Sequence, residues 1–133
     1  MSLGFSVHRL IMINAHADSL KSLYKELQEY TFLSLGDFKN YNQAIHTYDM
    51  MVRIRANPYD LIRQLKLACS AMYNTTDGMI DDANGGTLVG IFTAFLDSDI
   101  GGTTLGYNIQ KKQQLSRIKD QIEMLFNSLN RLC

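Results

Sequence analysis

The chain has 133 residues, enough for one domain that removes roughly two thirds of its unfolded surface from water. Apolar residues make up 46% and charged residues 20%, which is too hydrophobic for a disordered chain and matches a folded globule with a single core. Thirteen Lys and Arg balance thirteen Asp and Glu; this zero net charge speaks against wholesale nucleic-acid binding, which needs a basic footprint, and leaves little repulsion between copies.

The first element is expected over residues 6–31. Leu10, Ile13, Ala17, Leu20, Tyr24, Leu27 and Tyr30 recur at steps of three and four, which is one apolar stripe along a helix. Lys21, Lys25, Glu26 and Glu29 lie opposite, as on a solvated face. The "SLGD" at 34–37 supplies a stop and a start, with Gly36 suited to a left-handed helix end and Asp37 to capping the next helix. The second helix is expected over 38–55, with Phe38, Tyr41, Ile45, Tyr48 and Val52 on one face. In "NPYD", Asn57 reads as an N-cap, Pro58 as the first helical residue and Asp60 as its acidic third.

The third helix then presents Leu61, Leu65, Ala68 and Met72, and is expected to fade in "YNTTDG" at 73–78, resuming at most briefly through Met79 and Ile80. The last helix, over 104–132, carries Leu115, Ile118, Ile122, Leu125, Leu129 and Leu132 as a seam of about two and a half heptads. No period-two pattern competes, and Val occurs only at 7, 52 and 89. The fold class expected is all-α: an antiparallel bundle of four main helices, with a Gly/Asp-rich crossover holding a short hydrophobic helix.

That crossover, residues 75–108, breaks the composition of the rest. It holds five Asp, seven of the nine Gly and no Lys or Arg. The pattern D-x-x-x-G-G-T is written twice, from Asp81 through Gly85, Gly86 and Thr87, and from Asp97 through Gly101, Gly102 and Thr103. Four readings compete. In the first, the Gly pairs make turns and the Thr residues cap the helices that follow, with Asp complementing the helix dipole. In the second, "DSDIGGTTLGYN" begins as a calcium loop does, but Gly101 stands at position five and Asn108 at position twelve, where a bidentate Glu is needed. In the third, Gly-Gly-Thr cradles a phosphate, but the flanking Asp residues repel one and no Lys follows the glycines. In the fourth, Leu88, Val89, Ile91, Phe92, Phe95 and Leu96 form a hydrophobic hairpin that docks on a protein partner, touches a membrane interface or, equally, is the bundle's own buried crossover.

Elsewhere the sequence offers little chemistry. His8 and His16 share a helix face but sit about 12 Å apart along it, too far for one metal ion. No Glu-x-x-His pair of the di-iron kind and no nucleophile, zinc or dinucleotide motif is present. Cys69 and Cys133 have neither metal-ligand spacing nor a disulfide framework. The tyrosines with Arg53, Arg55 and Arg63 raise a nucleic-acid reading, yet "MVRIRANPYD" interleaves its arginines with Val52 and Ile54, as expected where a helix leaves a bundle. The longest low-polarity run, "TLVGIFTAFL" at 87–96, is about half the ~20 residues a spanning helix needs, so no integral span is expected, and contact with a membrane interface stays an open alternative. The function expected is a non-enzymatic helical interaction or scaffold protein that associates with a protein partner or with itself, without cofactor, metal or nucleic acid. The alternatives are an exported accessory subunit of an envelope secretion or conjugation apparatus, and a cation-regulated binder using the Asp/Gly loops.

Overall fold

The computed structural model describes residues 6–30, 38–83 and 102–132; for 82, 83 and 102–108 it describes backbone alone. These residues form four helices and, among them, no strand: α1 (Val7–Gln28), α2 (Lys39–Arg53), α3 (Pro58–Ala83) and α4 (Gly102–Arg131). The all-α expectation holds.

Helix α1 begins at Ser6, whose Oγ accepts the Arg9 N–H at 3.2 Å and satisfies one of the amides a helix start leaves open. Its buried face is Ile13, Ala17, Leu20, Leu23 and Leu27. Leu10, expected on that stripe, is exposed, and Tyr24 is only half-buried because its ring lies flat on Tyr41, centroids 4.6 Å apart, with Phe38 edge-on at 5.1 Å. These aromatic contacts join α1 to the start of α2.

Helix α2 starts one residue later than a cap at Asp37 requires. Phe38 takes the N-cap position without a side-chain cap bond, held by its ring against Tyr24, while Gly36 and Asp37 lie outside the described residues. Tyr41, Ala44 and Tyr48 are buried; Val52, expected on the same face, is exposed because the helix is ending there. The end is a Schellman turn: the Arg55 N–H donates to Val52 O at 3.1 Å and the Ala56 N–H to Met51 O at 2.9 Å. Arg55 itself has φ 53°, the left-handed region that glycine usually fills at this position.

Helix α3 starts as the sequence indicates. Asn57 Oδ1 accepts the Tyr59 N–H at 2.8 Å, and Pro58 opens the helix. It does not fade at 73–78 but runs unbroken to Ala83. The reason is burial: Thr76 and Met79 continue the stripe of Leu65, Ala68, Cys69 and Met72, and the Thr76 hydroxyl is satisfied by Met72 O at 2.7 Å. Gly78 lies on the exposed side, where it costs the helix something but obstructs nothing.

The core gathers the buried faces of all four helices, with Tyr41, Leu65, Met72, Leu115, Ile118 and Ile122 fully enclosed. Each such side chain contributes about 1.5–3 kcal/mol by leaving water. Leu115, Ile118, Ile122 and Leu129 of the expected α4 seam are buried, with Leu125 and Leu132 packed half-buried at its edge. Helix α3 lies at the centre, packed closely on α4 and α2, while α1 approaches α3 and α4 more loosely. Polar ties add register: Tyr48 donates to Asn14 Oδ1 at 2.9 Å, Gln64 Nε2 to Ala44 O at 3.2 Å, and Lys119 Nζ meets Asp77 at 2.8 Å.

Candidate interaction surfaces

The residues first singled out as a contact surface, Leu88, Val89, Ile91, Phe92, Phe95 and Leu96, lie outside the described residues, as do Gly85, Gly86, Thr87, Asp97 and Gly101. Three of the turn-and-cap residues are placed, and none caps a helix. Asp81 is an exposed residue in the last turn of α3, and Gly102 and Thr103 belong to the first turn of α4. An N-cap residue must be non-helical, so Thr103 cannot be one. The same helix takes in residues 102–108, the second half of the supposed calcium loop, so the Thr103 carbonyl that would ligate at position seven lies in helical backbone. No group of three or more His, Cys, Asp or Glu suited to a metal ion occurs among the described residues.

A groove of about 610 Å³ runs between α1 and α4, lined by Ser19, Ser22, Leu23, Glu26, Arg117, Gln121, Met124, Leu125 and Ser128. Its cation is already engaged: Arg117 donates to Glu26 Oε1 at 3.2 Å, Gln114 Oε1 at 3.0 Å and Gln121 Oε1 at 3.1 Å. A smaller cavity of about 290 Å³ opens between α3 and α4 with Cys69 in its lining. Burial pushes the Cys69 thiol up to about 12, which favours the protonated thiol at neutral pH. Lys66 and Lys119 cover the Phe126 and Tyr73 rings at this cavity, 5.2 and 5.1 Å from the ring centres.

The surface that stands out physically is elsewhere. Val7 is 73% exposed, Ile11 59% and Ile54 75%, and Leu10, Met50, Val52 and Tyr59 are exposed as well. These residues come from the first turns of α1, the last turn of α2, and the turn into α3. The Asn14–Tyr48 hydrogen bond lies one helical turn from Leu10 and Ile11 on α1 and one turn from Val52 on α2, which brings the two sets to the same level. The chain has no Asp or Glu within 6–17 or 50–59, but has Arg9, Arg53 and Arg55 there. Neither Arg53 nor Arg55 is in an ion pair among the described residues.

No family model, curated protein or solved structure matches this chain. The signal for this end was present in the sequence, because the acid-free windows and the alternation of "VRIR" are visible there. Reading it as the end of a helix was correct for the backbone and missed what the side chains expose. No helix among the described residues is long and apolar enough to cross a membrane.

Proposed function

We propose that this is a non-enzymatic helical interaction protein that associates with itself, and that the aliphatic, arginine-bearing end formed by Val7, Leu10, Ile11, Val52, Ile54 and Tyr59 is its contact surface. The reading includes a bundle whose helices alternate in direction. Three sets of contacts support that arrangement: Asn14 with Tyr48 and Tyr24 with Tyr41; Lys66 with Phe126 and Asp77 with Lys119; His16 with Arg131 and Glu26 with Arg117. In each set, a higher number on one helix pairs with a lower number on the other. An alternating bundle puts the start of α1, the α2–α3 turn and the end of α4 together.

The observation that carries the proposal is the exposure of Val7, Ile11 and Ile54 beside a well-closed core. Single exposed hydrophobics are ordinary, but a group of them from separate segments at one level marks a surface that another molecule covers. Arginine among aliphatic and tyrosine side chains is the composition found at such contacts. Hydroxyl-radical footprinting at low and high protein concentration tests it directly. Modification of Met50, Ile54 and Tyr59 is expected to fall as concentration rises, while Leu67, exposed on α3, stays unchanged. Equal modification of these residues at both concentrations contradicts the proposal.

A further inference from the structure

We infer that the arginine-bearing end of the bundle docks on a bilayer of anionic lipid. This goes beyond the self-association proposed above: the same side chains have a second occupant, and the two contacts exclude each other. The end is strongly basic. Over 6–17, 50–67 and 124–132 the chain carries Arg9, Arg53, Arg55, Arg63, Lys66 and Arg131 against a single acid, Asp60. Asp60 is taken by Arg63 at 2.6 Å, and Asp49, the one acid of α2, is taken by Lys21 at 2.9 Å. Contacts between helices hold the three segments together: Tyr48 bonds Asn14, Lys66 lies over the Phe126 ring, and the Arg131 charge acts on His16. The cations therefore share one end with the exposed Val7, Leu10, Ile11, Val52 and Ile54.

The charge decides between occupants. The aliphatic side chains suit a second copy and a bilayer alike, whereas the cations find their complement only in the bilayer. Arginine lays its carbon stem along apolar surface and sends its guanidinium to phosphate, so Arg53 and Arg55 on either side of Ile54 suit the boundary between headgroups and acyl chains. Tyr59, partly exposed beside them, has the ring and hydroxyl that the same boundary favours. An acidic peptide docks as a strand on a sheet edge or as a helix in a groove. The two cavities beside α4 are lined by none of Val7, Leu10, Ile11, Ile54 or Tyr59, which project from helix ends and a turn as a flat contact requires.

Cosedimentation of the full chain with vesicles tests this. Binding is expected to mixed phosphatidylcholine–phosphatidylserine vesicles and not to phosphatidylcholine alone, and to weaken as salt is added. Arg53→Ser with Arg55→Gly is expected to lower partitioning about tenfold or more. Lys25→Ser with Lys112→Ser removes the same charge away from this end and is expected to change it by less than about twofold; circular dichroism confirms that both variants fold. Equal binding to the two kinds of vesicle overturns the inference, as does an equal loss in the two double variants, which would leave net charge rather than this end as the cause. Binding to polyglutamate without binding to vesicles assigns the end to an acidic polypeptide and overturns it too. Light scattering without lipid keeps the two readings apart. A chain that stays monomeric yet binds the mixed vesicles removes self-association and leaves the bilayer contact standing; one that associates and ignores the vesicles does the reverse.

Discussion

Two residues inside the fold have chemistry that their surroundings decide. The Cys69 thiol is buried among the α2, α3 and α4 side chains and is held protonated at neutral pH. In a Cys133→Ser chain, iodoacetamide is expected to leave Cys69 unmodified at about pH 8 and to label it only after denaturation, as read by mass spectrometry. Rapid labelling of the native protein would contradict the burial. His16 is the second case: burial and then the neighbouring Arg131 lower its pKa below the ordinary 6.5. The unfolded chain therefore takes up that proton more readily than the fold does. Its contribution is complete above the unfolded value and is lost as pH falls through the lowered one. The urea midpoint is expected to drop between about pH 7.5 and about pH 5.5, by less in His16→Gln than in the native protein. At this scale the sequence was readable where a residue is purely apolar. Leu65, Ile118 and Ile122 are where periodicity puts them. It was ambiguous for Leu23 and Tyr24, neighbours that both suit the stripe; the core takes the leucine, while tyrosine covers its edge and stacks on Tyr41.

At the level of elements, helix α3 separates local preference from packing. Asn74, Thr75, Thr76, Asp77 and Gly78 are weak helix formers, which is why the sequence indicates an ending there. The propensity cost over these residues, about 3 kcal/mol in all, is offset by the burial of Thr76 and Met79 together with the half-buried Tyr73 and Ile80 packed on the core, so the helix continues. Gly78→Ala follows from this: nothing lies within 4 Å of an added methyl group, so the substitution is expected to stabilise the protein by about 0.5–1 kcal/mol. Urea denaturation of the variant measures it, and a loss of stability would mean that the helix does not run through residue 78. The start of the same helix was fully legible, because Asn57 and Pro58 act through local backbone geometry that no distant contact alters. The start of α2 was not, because Phe38 is fixed by a tyrosine on another helix.

For the molecule as a whole, a neutral total conceals an ordered separation of charge. The all-α class follows from periodicities that every helix shares, so it was legible from the sequence. The exposed end was legible only in part: its acid-free windows and the "VRIR" alternation stand in the sequence, but which side chains are exposed depends on where three separated segments meet. The apolar run at 87–96 is the most hydrophobic of the sequence, whereas seven of the ten exposed large hydrophobics among the described residues lie at the α2–α3 junction and the start of α1, the others being Leu67, Ile109 and Met124. The measurement that bears most directly on the central claim is the light-scattering mass of the native chain from dilute to concentrated solution at low ionic strength. The account predicts a mass that rises with concentration above that of one chain; a constant mass of one chain, 15.1 kDa, would contradict it.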